Sequence, residues 1–253
     1  MSISVQEVTV AQILPLRSQY RRAMNCQIVH DSLHTRPDWT QSYLLKVSED
    51  VAGYAAITIG GPWIQQPALF EFVVLPAFDR YAFDLFEALV DFASPAIIEV
   101  QTQSQLLVDL LHVYAADIKS ERILFEDCET TRWVKDDLHF KHTHAEEPGA
   151  VIRSNGSRIL DWVVQLDQET IAKGGIGYHY NEPYGDLYME VDAAHRNQGI
   201  GSFIVQELKQ VCYRQGGVPA ARCRVDNVAS RKALMKAGFR PCGHILVGHL
   251  GKS

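Results

Sequence analysis

The sequence has few cysteines, and their arrangement does not indicate disulfide bonds. Its five cysteines are an odd number, and no two of them form a C-x-x-C pair. Disulfide frameworks join cysteines in pairs, so a reducing compartment is expected. The N-terminus has no basic segment followed by an apolar one, and no apolar run approaches the ~18 residues of a membrane span. We therefore predict a cytoplasmic protein without a membrane partner.

Clusters of lysine and arginine are also missing. The chain carries 24 basic and 30 acidic residues, which gives a formal net charge of −6. Proteins that wrap nucleic acid neutralise its phosphates with clustered basic side chains, so we expect no nucleic-acid partner. Hydrophobic residues make up 47% of the 253 residues, which is ordinary for a globular protein. Such a chain can form one large domain or two small ones.

Beyond an N-terminal helix expected around residues 9–25, the hydrophobic pattern gives one order of elements twice. Each half shows a hairpin, strand, helix, strand, helix and strand. In the first half these elements are expected at 41–59, 69–75, 79–93, 96–101, 105–115 and 122–127. In the second half they are expected at 159–180, 186–191, 199–216, 220–225, 229–238 and 244–250. An offset of about 117 residues indicates two copies of one α/β domain with a mixed sheet.

The boundary between the copies is expected between residues 128 and 150, in a polar segment that is rich in turn-forming residues. We therefore predict a first domain at 1–130 and a second domain at 131–253.

The stretch HRNQGIGS (195–202) has two glycines before a helix but lacks parts of two familiar phosphate-binding motifs. A dinucleotide fingerprint requires a third glycine, where Ile204 stands, and a Walker A loop requires a lysine that is absent. A nicotinamide oxidoreductase is excluded on this ground. The remaining pattern is R-x-x-G-x-G, formed by Arg196, Gly199 and Gly201. Free N–H groups at a helix start, the helix dipole and Arg196 would attract a pyrophosphate, although an ordinary turn is the alternative.

Two stretches together resemble the GNAT superfamily of N-acetyltransferases. LYMEVDAAHRNQGIGSFIVQEL (187–208) has a strand that ends in Val191 and then the R-x-x-G-x-G pattern. VDNVASRKALMKAGFRPCG (225–243) has the family's N-x-x-[AS] at Asn227 and Ser230, and its Gly-Phe at 238–239. The resemblance covers about residues 158–250 and has the motifs in the right order and spacing. It implies a fold of two acyl-CoA N-acyltransferase domains in tandem.

The resemblance implies acetyl-CoA as co-substrate and a primary amine of a small molecule or peptide as acceptor. The acetyl group would be transferred by direct attack of the amine. The backbone at the end of the strand would pair with the pantetheine arm, and the loop N–H groups would hold the pyrophosphate. The cofactor-binding residues implied are Val191, Ala193, Arg196, Asn197, Gln198, Gly199, Ile200, Gly201, Ser202, Asn227 and Ser230.

The residues that move protons are less well defined, because three positions often used by the family carry other residues. The usual tyrosine position is Leu234, and two usual base positions are Gly185 and Arg222. Glu190 is the remaining candidate for the base, with Asp186 and Tyr188 beside it on the same strand. For all three the structural alternative is a solvent-facing or packing side chain. A CoA-binding regulator or pseudoenzyme is therefore the alternative function.

His139, His142 and His144 form a cluster that invites a metal site. They lack a cysteine or carboxylate at ligand spacing, and strand alternation places only His142 and His144 on one face. We therefore expect no metal. The oligomeric state stays open, a homodimer included.

The first copy lacks the phosphate-binding residues. If Val74 matches Val191, then Asp79, Ala82 and Asp84 take the places of Arg196, Gly199 and Gly201. Two carboxylates would then face the position of a pyrophosphate and repel it. We therefore predict that residues 1–130 form a degenerate GNAT-like domain that binds no CoA, and that 131–253 form the acetyltransferase domain. The first copy would complete the substrate cleft, fix the domain pair or only add core.

Overall fold

The computed structural model describes residues 2–143, 151–152 and 158–251, which form thirteen strands and five α-helices. The strands are β1 (Ile3–Val8), β2 (Thr40–Val47), β3 (Asp50–Thr58), β4 (Ala68–Val74), β5 (Ile97–Gln101), β6 (Ala115–Asp127), β7 (His139–His142), β8 (Val151–Ile152), β9 (Arg158–Leu166), β10 (Glu169–Gly177), β11 (Tyr184–Val191), β12 (Val218–Arg224) and β13 (Phe239–Leu250). The helices are α1 (Val10–Met24), α2 (Ala82–Ala93), α3 (Gln105–Tyr114), α4 (Ile200–Arg214) and α5 (Val228–Lys236). In the described ranges no helix is long and apolar enough to cross a membrane.

The chain divides into two compact units. The first contains the residues up to Glu121 and those from His244 onward, and the second runs from Arg122 to Gly243. The boundary expected from the sequence lies later, at residues 130 and 131. In the structure the end of β6 pairs with β12 in the second unit, and the end of β13 pairs with β5 in the first. The two divisions differ because strand partners are chosen by hydrogen bonding between remote segments, which local hydrophobic patterns do not specify.

The first unit is a sheet with helices on both faces. Its strand order is β1-β2-β3-β4-β5-β13, and only the β4–β5 pair is parallel. On one face, the apolar side of α2 packs on the sheet, and Phe86 contacts Phe72 edge-on at a ring-centroid distance of 5.6 Å. On the other face, Leu33 packs against Ala56 and Phe70. Burial of each of the leucine and phenylalanine side chains stabilises the fold by about 1.5–3 kcal/mol.

The second unit has the strand order β6-β12-β11-β10-β9-β7, with β8 paired to β9. Helix α4 lies on one face, and its apolar residues at helical spacing, among them Ile204, Leu208 and Val211, are buried in the core with Leu187. The alternate residues of β11 therefore point to the opposite face of the sheet. This face carries the polar side chains that the candidate site uses.

The order of elements is the same in the two units. The hairpins β2–β3 and β9–β10 correspond, and β4, α2, β5 and α3 recur as β11, α4, β12 and α5. The mixed α/β fold with a repeated domain, expected from the sequence, is confirmed.

Candidate functional site

Strands β11 and β12 run parallel and then separate. Residues Tyr184–Leu187 pair with Val218–Ala221, but β11 beyond this point pairs only with β10, and β12 pairs only with β6, in the described chain. The two strand ends therefore face a gap with backbone N–H and C=O groups that have no strand partner there. An extended ligand can bind such an edge as an added strand does.

The gap leads from Val191 to the loop before α4. Asn197 and Gly199 both take left-handed backbone conformations, with φ of 63° and 80°. Gly199 is the N-cap, and the first helical hydrogen bond runs from Phe203 N–H to its carbonyl. The N–H groups of the first turn therefore lack helical acceptors, and Gly199 has no side chain to accept from them. The loop thus presents free donors and the positive end of the helix dipole to an anion.

The two long side chains of the loop fold back onto its own backbone. Arg196 donates from Nε to the Val191 carbonyl at 3.1 Å, and Gln198 donates from Nε2 to the Ala194 carbonyl at 3.3 Å. These bonds brace the turn between β11 and α4. The other N–H donors of the Arg196 guanidinium remain available in this geometry, because only Nε is used in this bond.

The side chains of Ile200 and Ser202 are buried, so only their backbone N–H groups can serve a ligand. A Cβ on Gly201 would lie 3.4 Å from Cβ of Ala233 and 3.6 Å from Cε of Met189. These are ordinary van der Waals distances, so the packing of α5 on α4 leaves room for a small side chain at this position. Helix packing therefore does not by itself explain a glycine at position 201.

The second motif forms the start of α5. Asn227 is its N-cap, and its side-chain oxygen accepts a hydrogen bond from the backbone N–H of Ser230 at 3.0 Å. Residues of this type at an N-cap satisfy a helix donor that has no other partner. The spacing N-x-x-S therefore has a structural cause, because the cap and its donor are three residues apart.

The predicted base, Glu190, lies on the open face of β11 and is paired. Its carboxylate is 2.9 Å from Nζ of Lys173, which stands directly opposite on β10, and both side chains are more than half exposed. The hydrogen bond from Lys173 and its positive charge lower the pKa of Glu190. A carboxylate with a lowered pKa holds a proton less well and is a weaker base.

Asp186 is buried at the fork, the place beyond Leu187 and Ala221 where β11 and β12 separate. Its carboxylate is 3.1 Å from Nη1 of Arg222, the first residue of β12 beyond the paired region. The same guanidinium donates to the Tyr180 hydroxyl at 3.1 Å and lies over the Tyr180 ring. Burial acts to lower the pKa of Arg222, but Asp186 and Tyr180 raise it overall, which keeps the cation charged. Arg222 and Tyr180 thus form part of the fork. The sequence alone had not placed either residue in the candidate site.

Tyr188 is the first residue of β11 beyond the paired region, and it is 42% exposed. Its hydroxyl donates to the Asp161 carboxylate on β9. Asp161, Gly175 and Tyr188 stand in one row across β9, β10 and β11. Sequence reasoning missed Asp161, because it is distant in the chain and only the strand register brings it to the site.

Comparison with known proteins agrees with this geometry. A family model described as an acetyltransferase (GNAT) domain matches residues 108–240. The chain belongs to the GNAT family. Members of this family are acyltransferases that generally use acyl-CoA as the donor. No curated protein matches the chain.

Solved structures with this GNAT fold match along the whole chain. An acetyltransferase of the GNAT family from Colwellia psychrerythraea has a TM-score of 0.71 at 17% identity, covering 99% of this chain and 100% of its own. A tandem GNAT protein from the clavulanic acid biosynthesis pathway has a TM-score of 0.67 at 11% identity, covering 100% of both. A GCN5-related N-acetyltransferase from Sphaerobacter thermophilus has a TM-score of 0.58 at 12% identity, covering 99% and 96%. The tandem arrangement is thereby confirmed at the level of the fold.

The GNAT tyrosine position, Leu234, is buried in the core of the second unit. No hydroxyl is therefore supplied from α5 at this position. Two tyrosines between β10 and β11 are engaged elsewhere: Tyr180 accepts a hydrogen bond from Arg222, and Tyr178 is buried with its hydroxyl 3.6 Å from Sγ of Cys212. Tyr188 is the most exposed of the tyrosines at positions 178, 180 and 188.

The first unit differs at the corresponding loop. Residues Pro76–Tyr81 form a 3-10 helix before α2, and none of them takes a positive φ. Asp79 lies in this turn, and Asp84 lies in the first turn of α2. A carboxylate there interacts favourably with the helix dipole and repels another anion. That this unit binds no CoA stays a prediction from the sequence.

The strand gap of the first unit is covered by its own chain. β4 and β5 pair over only two residues each before they separate. Beyond this point Gln101 accepts from the N–H of Val29 at 3.2 Å and donates to the carbonyl of Gln27 at 3.0 Å. Glu99 is 2.8 Å from Nε2 of His30. The segment after α1 is thus held against the free end of β5, where the second unit has an open gap.

Of the histidine cluster, His139 and His142 lie in β7, and His144 lies outside the described residues. His142 packs edge-on against Trp162 with ring centroids 4.8 Å apart. Within the described part of the chain, no three histidine, cysteine or carboxylate side chains stand close enough to hold a metal.

Proposed function

We propose that this GNAT protein is an acetyl-CoA-dependent N-acetyltransferase with one active site, in the second unit. One observation carries the proposal: the gap that opens beyond Leu187 runs along the end of β11 directly to the glycine loop at Gly199. A pantetheine arm paired with Val191 and Ala193 would deliver its pyrophosphate to the N–H groups from Asn197 to Ser202. The thioester would then lie at the fork.

The reaction is direct transfer to a primary amine of a small molecule or peptide. The amine nitrogen attacks the thioester carbonyl carbon, a C–N bond forms and the C–S bond breaks. The amine loses one proton, and the CoA thiolate leaves and takes up a proton. Backbone N–H groups at the strand ends stabilise the negative charge on the carbonyl oxygen. No covalent intermediate with the protein forms.

Among the three candidate catalytic residues predicted from the sequence, we assign the role of accepting the amine proton to Tyr188. It stands next to the fork, is partly exposed and has Asp161 behind its hydroxyl. The Tyr188 oxygen accepts the proton while its own proton passes to Asp161. Glu190 and Asp186 are each engaged by a cation, Lys173 and Arg222, which disfavours proton uptake.

The test is binding of acetyl-CoA, measured by isothermal titration calorimetry, to the wild type and to Gly199→Asp. We expect the substitution to weaken binding about a hundredfold or more, because it strains a left-handed residue and places a carboxylate at the pyrophosphate. Gly216→Asp is the matched control. Gly216 follows the other end of α4, also has a positive φ of 72°, and has open space around it.

Binding retained by Gly199→Asp, or absent in the wild type, would contradict the proposal. Ala82→Asp at the corresponding loop of the first unit should leave binding unchanged, since we propose that this unit binds no CoA.

The second candidate is a CoA-binding regulator or pseudoenzyme. Burial of Leu234 at the usual tyrosine position and the pairing of Glu190 favour it. Thiol release from acetyl-CoA in the presence of a panel of amines separates the two functions. Binding without amine-dependent thiol release would support the regulator. The cytoplasmic location stays a prediction from the sequence.

A further inference from the structure

Two lysines from outside the glycine loop converge beside Gly199. A Cβ on Gly199 would lie 3.7 Å from Cε of Lys135 and 3.9 Å from Nζ of Lys236. Lys236 is the last residue of α5, and Lys135 comes from the segment between β6 and β7. Neither residue belongs to the R-x-x-G-x-G pattern.

The two lysines have no ion-pair partner among the residues described, whereas several other cations of this unit are paired. Two like charges at close range repel each other, and the positive end of α4 adds to this repulsion. An anion bound between them would offset it. The arrangement therefore favours a negatively charged ligand next to the loop.

The segment that carries Lys135 is fixed to α4 by a side-chain clamp. Gln206, which is buried, accepts from the backbone N–H of Trp133 at 2.6 Å and donates to the Trp133 carbonyl at 3.1 Å. The ring of Trp133 in turn holds Lys236, whose Nζ is 4.1 Å from the ring centroid. The electron-rich face of the ring attracts the ammonium group. The ring of Trp133 thus positions Lys236, and the clamped backbone of Trp133 positions Lys135, which lies two residues further along the chain.

A buried lysine anchors the same segment at its start. Nζ of Lys209 is 2.7 Å from the Asp127 carboxylate and donates to the carbonyls of Glu129 and Ala237 at 2.5 and 2.8 Å. The end of β6 and the end of α5 are therefore held together. The two lysines beside Gly199 come from elements whose positions are fixed by these contacts.

We propose that Lys135 and Lys236 form a subsite for the 3′-phosphate of coenzyme A, and this rests on the proposed function. The pyrophosphate is served by backbone N–H groups of the loop, so the third phosphate of the molecule still requires a cationic partner. That phosphate is one ribose away from the pyrophosphate, and the lysines lie immediately beside the loop. The subsite makes the protein selective for the 3′-phosphorylated donor.

The test compares acetyl-CoA with 3′-dephospho-acetyl-CoA by isothermal titration calorimetry. We expect the wild type to bind acetyl-CoA about tenfold or more tightly than the dephospho form, which corresponds to about 1.4 kcal/mol. In the double variant Lys135→Ala/Lys236→Ala this preference should fall to about twofold or less, while affinity for the dephospho form changes little. The wild-type preference should also fall with rising salt, because screening weakens exposed charge pairs.

Lys141→Ala is the control, because it removes one charge from β7 in the same unit, where Lys141 bonds to Gln165. It should keep the wild-type preference, and circular dichroism should show that all variants are folded. Equal wild-type affinity for both ligands overturns the subsite but leaves the proposed function standing. An equal loss for both ligands in the double variant also overturns it, since the lysines would then serve the pyrophosphate. Failure of the wild type to bind either ligand contradicts the proposed function itself.

Discussion

Gly175 has no side chain, and this allows the ring of Tyr188 to cross β10 and reach Asp161. The three residues stand in one row of the sheet, with the glycine in the middle. A larger residue at the middle position would obstruct the path between hydroxyl and carboxylate on this face. Gly175 thus leaves this row of the sheet without a side chain between Tyr188 and Asp161.

At the residue scale we predict that Tyr188→Phe lowers kcat about tenfold or more, because it removes the hydroxyl that relays the amine proton. Acetyl-CoA binding should stay unchanged. The measurement is steady-state thiol release together with calorimetric binding. Glu190→Gln is the comparison, since it has the same shape and its carboxylate is exposed and paired. If Glu190→Gln lowers kcat and Tyr188→Phe does not, the base is Glu190, as the sequence alone predicts.

At the scale of elements, a buried ionic cluster joins a helix and two strands of the first unit. The carboxylate of Glu71 in β4 accepts a hydrogen bond from Nε of Arg17 in α1 at 3.1 Å. It accepts another from the hydroxyl of Tyr54 in β3 at 3.0 Å. Arg17 also donates to Asp31 at 2.5 Å, and Nε2 of His34 is 3.2 Å from Glu71. The helix and two strands therefore share one buried carboxylate. Removing one partner from such a cluster leaves a buried charge uncompensated.

This cluster predicts acid sensitivity. Although burial opposes the charged form, His34 and Arg17 hold the pKa of the Glu71 carboxyl well below its ordinary value of 4.5. Because the folded pKa is below the unfolded one, the stability from ionised Glu71 is present above about pH 4.5 and is lost as pH falls further. We expect Glu71→Gln to reduce the free energy of unfolding by about 3–5 kcal/mol at neutral pH and by less in acid.

Urea unfolding at pH 7 and pH 4 measures this difference. Glu126→Gln is the control, because Glu126 pairs with Arg240 at the surface and such pairs contribute about 1 kcal/mol or less. A destabilisation by Glu71→Gln that grows toward low pH would contradict a lowered pKa of Glu71 in the folded protein.

At the start of α5, substitutions of Asn227 separate its role as N-cap from its predicted role in binding the cofactor. Asn227→Ala removes the N-cap acceptor and should cost about 1 kcal/mol of stability, measured by thermal or urea unfolding. Asn227→Asp keeps an acceptor oxygen and should retain most of that stability. If Asn227→Asp folds normally but binds acetyl-CoA less well, Asn227 also serves the ligand. Unchanged binding in both variants would limit it to the cap.

At the scale of the whole molecule, the last strand of the chain is divided between the units, and its part from His244 onward belongs to the first unit. Residues from His244 onward pair with β5, although they are the most distant in sequence. We predict that deletion of residues 244–253 reduces hydrogen-exchange protection of the amides of β5 about tenfold or more, because it removes their partner strand. Deletion of residues 252–253 alone should have no such effect. Loss of protection in β12 with β5 unchanged would instead favour the division at 130 and 131.

The sequence was sufficient for the order of elements and for the glycine loop. Periodic apolar residues predicted α2 and α4 in their correct places, and Gly199 takes the positive φ for which glycine is suited. Both features are local, since they depend on residues close in the chain. The sequence also indicated the family, because its two motifs have fixed spacing.

The partners of the site residues could not be predicted in the same way. The pairs Tyr188 with Asp161 and Glu190 with Lys173 follow from strand register, which a single-residue shift would change throughout. The position of Lys135 beside Gly199 depends on the clamp of Gln206.

By itself the sequence determined the repeated α/β pattern, the family and the loop that can hold a phosphate. Only the tertiary structure decided which unit the end of the last strand joins, which carboxylates are engaged by cations, and which lysines stand beside the loop. The physical reason is that periodicity and turn chemistry act over a few residues, whereas strand pairing and charge pairing join residues that are far apart in the chain.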